Sequence, residues 1–141
     1  MAVKTLLFVC HFNSARSQLA EGLARSMAPK GTRILSAGLI ATVVNEEVLR
    51  SLLRIGVDAS RQRSKPLDDL AGKPVDEVFV FCKEARLKAR QLFPRANHRF
   101  WPVADPIASR ALSRVPSAVR RARDRIKALL TAWIARNLPC V

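Results

Sequence analysis

Residues 5–17 read Thr5-Leu6-Leu7-Phe8-Val9-Cys10-His11-Phe12-Asn13-Ser14-Ala15-Arg16-Ser17. The first five are a short apolar run of strand length, and from Ser17 to Met27 the apolar residues Leu19, Leu23 and Met27 follow helical spacing. Between them lie a sulfur, a five-residue loop and a guanidinium at the mouth of a helix. That arrangement predicts an oxyanion site. The backbone N–H groups of His11, Phe12, Asn13, Ser14 and Ala15 can turn inward on an anion, and the helix N-terminus adds partial positive charge. Arg16 offers a planar fork matching two oxygens of phosphate or arsenate. The same positive field favours the Cys10 thiolate at neutral pH.

Working outward, strand and helix patterns alternate. Pro29-Lys30-Gly31 ends the first helix, Arg33–Ser36 reads as a second strand, and Ala37-Gly38 closes it. Asn45 is the expected N-cap of a helix through Val48, Leu49, Leu52 and Leu53, with Gly56 past its end. Pro66 opens a helical turn through Leu67 and Leu70. Glu77–Phe81 is the clearest buried strand and delivers Cys82; helical sequence then runs from Glu84 to Leu92 and stops at Pro94. Arg99–Trp101 is the expected fourth strand, leading to Asp105-Pro106, and a long basic helix spans about residues 113–135. This order predicts an α/β fold, a four-stranded parallel sheet flanked by helices in three layers, with the anion loop after the first strand. Ligands of such sheets sit outside the carboxyl ends of the strands, so Cys10, Cys82 and Asp105 are expected on one rim.

Composition narrows the function classes. The 141 residues, 49% of them hydrophobic, suit a single domain spanning 1–141 with a real core. No apolar run approaches the roughly 20 residues needed to span a bilayer, and no signal-peptide pattern precedes the loop, so a cytoplasmic protein without a membrane partner is expected. Three scattered cysteines, Cys10, Cys82 and Cys140, argue against a disulfide framework, and with only His11 and His98 beside them no metal site is expected. The net charge of +14 is uneven: residues 1–70 hold ten Lys/Arg and six Asp/Glu, residues 71–141 fifteen and five. An anionic substrate or partner is favoured. The basic residues lie on helix-like segments with no nucleic-acid motif, so a solvated basic face is expected and a nucleic-acid partner is not.

Cys10-x5-Arg16-Ser17 with Asp105-Pro106 far downstream resembles the low-molecular-weight protein tyrosine phosphatase superfamily. Asn13-Ser14-Ala15-Arg16-Ser17-Gln18, Ala20-Glu21, Ser36-Ala37-Gly38, Ile55-Gly56-Val57-Asp58-Ala59-Ser60 and Arg63-Ser64-Lys65 are similar to its arsenate reductase branch. The resemblance implies that Cys10 attacks phosphorus or arsenic, Arg16 and the loop hold the oxygens, and Ser17 donates to the thiolate. It further implies that Asn13 supports the loop in a left-handed conformation and that Asp105 protonates the leaving oxygen. As a reductase the chain would bind no cofactor and would draw on an external thiol: thioredoxin, glutathione with glutaredoxin, or mycothiol. A monomer is expected.

The chain departs from the family in two places. Tyrosine phosphatases of this group carry aromatic residues after Asp-Pro, whereas here Ile107-Ala108-Ser109 follows and the chain has no tyrosine. Thioredoxin-coupled arsenate reductases pass a disulfide along three cysteines, whereas here residues 83–89 hold none. Either Cys82 resolves Cys10, with a small thiol or a partner protein completing the cycle, or Cys140 folds back to do so. Cys82 equally suits a core cysteine, Cys140 a passive terminal thiol, Asp105 a turn cap and His11 a loop-lining side chain. Lys65 stands where some of these enzymes place a carboxylate for a potassium ion, so no metal is carried over. The expected activity is thiol-dependent reduction of arsenate to arsenite. The alternatives are a phosphomonoesterase or tyrosine phosphatase acting through a cysteinyl-phosphate, and a non-catalytic oxyanion-binding or basic interaction protein.

Overall fold

The computed structural model describes residues 4–108 and 110–138. Four strands, β1 (Thr5–Cys10), β2 (Arg33–Gly38), β3 (Glu77–Val80) and β4 (Asn97–Phe100), form one all-parallel sheet in the order β2-β1-β3-β4. The helices are α1 (Arg16–Met27), α2 (Glu46–Leu53), α3 (Arg86–Leu92) and α4 (Val115–Asn137), with 3-10 turns at Leu67–Leu70, Lys83–Ala85 and Leu112–Arg114. β1 is central and buried along its whole length, which is why its sequence is almost unbroken hydrophobic rather than alternating.

Side-chain alternation along the strands sorts the core into two layers. Leu6, Phe8, Phe79 and Phe81 face α1, α2 and α4, meeting Leu19, Leu23, Leu52, Ile126, Leu130 and Trp133. Phe8 lies between Phe79 and Phe81, with ring centroids 5.0 and 6.2 Å away. Leu7, Val9, Val78 and Val80 face the other way, onto α3 and the Leu67–Leu70 turn. Each of these fully buried side chains contributes about 1.5–3 kcal/mol.

The expected elements appear with shifted ends. Asn45 caps α2 as the sequence predicts, accepting from the Glu47 N–H at 2.8 Å. β4 begins two residues earlier than expected, because Asn97 and His98 pair with Glu77 and Val78; Trp101 still donates to the Val80 carbonyl at 2.8 Å. The segment after Cys82 first makes a 3-10 turn, so α3 starts at Arg86 and not at Glu84. α4 starts at Val115, with Pro116 in its first turn, where a missing N–H costs nothing.

Candidate active site

Cys10 is the last residue of β1 and Arg16 the first of α1, so the intervening loop closes the crevice above the sheet. Cys10 is 2% exposed, and its sulfur lies 2.8 Å from the Ser17 hydroxyl. Asn13 is fully buried with φ +50°, the left-handed conformation that the family resemblance implies for it. Its amide donates to Ser17 Oγ at 2.8 Å and to Ser36 Oγ at 3.0 Å, while its oxygen accepts from the Lys65 backbone N–H at 2.9 Å. Ser36 in turn donates to Glu21 at 2.5 Å.

This chain of bonds has a direction. The Lys65 N–H fixes which end of the Asn13 amide accepts, so the NH2 group must donate to both hydroxyls. Ser17, already accepting from Asn13, keeps its own proton for the Cys10 sulfur. The far end is anchored by charge: Glu21 is held by Arg25 at 3.0 Å and faces the Lys65 ammonium at 3.9 Å. Burial pulls that ammonium below the usual lysine range, and Glu21 opposes the shift. Lys65 therefore supplies positive charge of the chain's own beside Glu21, at the position where the family pattern led us to expect no carried-over metal. Among the described residues no cluster of His, Cys, Asp and Glu is arranged to hold a metal ion.

Arg16 is 8% exposed, and its guanidinium donates to the Val103 carbonyl at 3.0 Å and the Phe81 carbonyl at 3.5 Å. These contacts tie the anion loop to the ends of β3 and the segment leading to Asp105, a coupling the sequence does not reveal. Among the described residues, the backbone N–H groups from Phe12 to Arg16 donate to no protein acceptor, leaving them free for an anion.

Two cavities open here. One, of about 280 Å3, is lined by Cys10, Phe12, Arg16, Thr42, Asp105 and Ile107. The other, of about 470 Å3, is lined by His11, Arg16, Cys82, Glu84, Phe100 and Asp105 among others. Arg16, Phe12 and Asp105 belong to both walls. Asp105 is positioned by an Asx turn, with Oδ1 accepting from the Ile107 N–H at 2.9 Å. Its second oxygen has no protein partner among the described residues. Ser14 and Ala15 line the Cys10 cavity, whereas His11 lines the Cys82 cavity and packs against Phe12, the two rings tilted with centroids 4.3 Å apart.

Cys10 ends β1, and Cys82 lies two residues past the end of the neighbouring strand β3; the two face opposite ways. Val9 pairs with Val80, so Cys82 falls one residue out of step with Cys10. Cys10 packs with Phe8 and Phe81 in one core layer; Cys82, in extended conformation, packs with Val9 and Val80 in the other. Both are free thiols. Burial pushes the Cys82 thiol up to about 11, against the opposing pull of the Ala85 backbone N–H and the Arg16 guanidinium. Cys140 lies outside the described residues.

The sequence reading missed Gly38. A Cβ there would meet Asn13 N at 2.6 Å, Phe12 C at 2.7 Å and His11 O at 2.8 Å, so the end of β2 must be bare for the loop to pass. Thr42 as a cavity wall was also missed, since its role depends on segments far apart in sequence, whereas Ile107 and Ala108 line the cavity from the position where the resemblance places aromatic walls.

Comparison with known proteins agrees with this geometry. An arsenate reductase of Staphylococcus aureus (strain N315) is 31% identical over 127 residues, covering 90% of this chain and 93% of the relative. A solved arsenate reductase in the phosphate binding state superposes with TM-score 0.75 at 25% identity, covering 95% of this chain and 98% of that one. The tyrosine phosphatase AmsI of Erwinia amylovora shares the fold with TM-score 0.79 at 21% identity, covering 99% of this chain and 95% of that one. The family model described as low molecular weight phosphotyrosine protein phosphatase matches residues 5–137, and the chain belongs to that family.

Proposed function

We propose that residues 1–141 form a single-domain arsenate reductase. The observation that carries this reading is the position of Arg16, whose guanidinium is a wall common to the Cys10 cavity and the Cys82 cavity. A nucleophile and a second thiol thus open on two sides of one cation. The arsenate reductases among its relatives, matched along nine-tenths of the chain, support the same substrate.

The Cys10 thiolate attacks arsenic while Arg16 and the free N–H groups of the loop hold the other oxygens. An As–O bond breaks and Asp105 supplies the proton with which that oxygen leaves as water. Cys82, as thiolate, then attacks the Cys10 sulfur. An S–S bond forms, the electron pair of the S–As bond passes to arsenic, and arsenite departs as As(III). Because the two side chains rest on opposite faces of the sheet, Cys82 must swing around the carboxyl end of β3, which requires the Lys83–Ala85 turn to open. An external thiol system, of thioredoxin, glutaredoxin with glutathione, or mycothiol type, returns two electrons to the disulfide. A reducing cytoplasm is the setting in which these thiols persist.

A second reading is a cysteine-based phosphatase. It is favoured by the volume of the Cys10 cavity: about 280 Å3 corresponds to roughly nine waters, more than the five heavy atoms of an oxyanion fill. The apolar walls from Phe12, Ile107 and Ala108 suit an organic group. Cysteinyl-phosphate chemistry needs Cys10, Arg16 and Asp105 but not Cys82. One experiment separates the readings: purified protein is given arsenate with each thiol system in turn, and separately an aryl phosphate. Arsenite release that is lost in Cys82→Ser supports the reductase. Aryl phosphate turnover equal in wild type and Cys82→Ser, with no arsenite, establishes the phosphatase instead.

A further inference from the structure

The cavity at Cys82 is the middle one of three in a row. Phe100 lines both it and a smaller cavity of about 120 Å3 that carries Arg86, Arg90 and His98 on the α3 side of the sheet. Val103 and Ala104 line both it and a groove of about 170 Å3 on the α4 side, rimmed by Arg110, Arg121 and Arg125 over a floor that includes Ala118 and Ala122. Lys83 stands in the middle cavity itself. The three wrap around the carboxyl end of β4, the edge strand of the sheet.

The band carries more cations than carboxylates: the middle cavity also holds Glu84 and Asp105, whereas no described acidic residue lines the two flanking cavities. Among the described residues, Lys83, Arg86, Arg90, Arg110, Arg121 and Arg125 take part in no ion pair. Arg86 lies over the Phe100 ring at 4.7 Å, a cation–π contact and not a neutralising one. Arg121 and Arg125 stand one turn apart on α4, a like-charge spacing that costs a few tenths of a kcal/mol in the free protein. The only acidic residue within α4, Asp124, is engaged with Arg123.

We propose that this band is the docking surface for the electron donor, a dithiol redox protein whose reactive cysteine is surrounded by carboxylates. The proposal rests on the reductase reading, and Cys82 is the reason for choosing a redox protein. In a Cys10–Cys82 disulfide, attack on the Cys82 sulfur expels Cys10, whose negative charge the Ser17 hydroxyl receives at 2.8 Å. Attack on Cys10 would instead expel Cys82, whose resting site in the reduced protein favours the protonated thiol through burial. Exchange therefore favours Cys82 as the attacked sulfur, and the reduced Cys82 lines the middle cavity of the band, just past the carboxyl end of β3. The donor thiolate bonds to Cys82 and Cys10 leaves as thiolate. The donor's second thiolate then breaks that mixed disulfide, Cys82 leaves and takes up a proton, and the donor departs as its own disulfide. A small thiol such as glutathione can pair its carboxylates with the arginines of one flank, whereas a protein face spans both flanking cavities at once. A nucleic acid has no use for the thiol.

The test does not require arsenate. In a Cys10→Ser, Cys140→Ser background, Cys82 is converted to its thionitrobenzoate mixed disulfide, and release of the chromophore is timed with a reduced, acidic bacterial thioredoxin and with dithiothreitol. Raising salt from about 20 to about 300 mM shortens the screening length from roughly 20 Å to roughly 6 Å. The thioredoxin rate is expected to fall about tenfold over that range. Arg86→Gln/Arg90→Gln and Arg121→Gln/Arg125→Gln are each expected to lower the low-salt rate at least about threefold and to flatten its salt dependence, with the dithiothreitol rate unchanged. A thioredoxin rate insensitive to salt and to both pairs overturns the proposal, as does an equal loss with dithiothreitol. Duplex DNA bound through the same arginines, with the thioredoxin rate unaffected, would overturn it in favour of nucleic acid. Failure of arsenate reduction with this salt dependence intact would count against the reductase reading alone.

Discussion

Replacing Asn13 with alanine removes three contacts at once: buried donors to Ser17 at 2.8 Å and Ser36 at 3.0 Å, and the part-buried acceptor for the Lys65 N–H at 2.9 Å. The Lys65 N–H is left without a partner, which costs about 1–3 kcal/mol, and each lost bond to a hydroxyl about 1 kcal/mol. Alanine at φ +50° adds about 1 kcal/mol, because its Cβ crowds the left-handed backbone more than asparagine does. The sum is about 4–6 kcal/mol, a large part of the roughly 5–15 kcal/mol that stabilises a domain. Urea unfolding measures it directly. Asn13→Gly loses the same contacts but none of the backbone freedom, so it should be about 1 kcal/mol more stable than Asn13→Ala. In both variants Ser17 is no longer held as a donor to Cys10, and alkylation of Cys10 by iodoacetamide at neutral pH should slow. A loss below about 1 kcal/mol in Asn13→Ala, with Cys10 reactivity unchanged, would refute the directed chain of hydrogen bonds.

Three further predictions use the same geometry. Gly38→Ala forces a Cβ against the loop backbone at 2.6–2.8 Å; it should destabilise by about 1–3 kcal/mol and abolish oxyanion protection of Cys10 from alkylation, read by mass spectrometry. With the Cys82 thiol at about 11, only about one molecule in a thousand is thiolate at pH 8, so single-turnover arsenite release should rise about tenfold per pH unit from 7 to 9, and a flat profile would exclude Cys82 as the resolving nucleophile. Lys65→Met removes the ammonium facing Glu21 and should slow Cys10 alkylation while Lys65→Arg restores it; equal rates in all three proteins would show that the charge beside Glu21 does not reach Cys10.

The sequence made the strand–loop–helix unit around Cys10 and Arg16 legible because its parts are contiguous: an apolar run, a short loop and a helical period follow one another. Asn45 could be assigned its cap for the same reason, whereas the left-handed role of Asn13 came with the family resemblance. What stayed hidden depends on register. That Cys82 faces away from Cys10 follows from the pairing of Val9 with Val80, and a slip of one residue would have placed both thiols on one face. Gly38 reads as a strand end until the loop is seen to cross it at 2.6 Å. Lys65 looked like a mere departure from the family pattern, since neither its N–H on Asn13 nor its ammonium facing Glu21 has a local signature. The +14 charge was legible as a total; that Lys83, Arg86, Arg90, Arg110, Arg121 and Arg125 line cavities beside the carboxyl end of β4 required the fold.

The most direct test of the central claim is a single turnover without reductant, in which reduced protein is mixed with arsenate and quenched with acid. The account predicts arsenite released in step with loss of two thiols and a Cys10–Cys82 disulfide found by peptide mass mapping, all absent in Cys82→Ser. Arsenite released with Cys82 still reduced, or no arsenite while an aryl phosphate is hydrolysed, would contradict it.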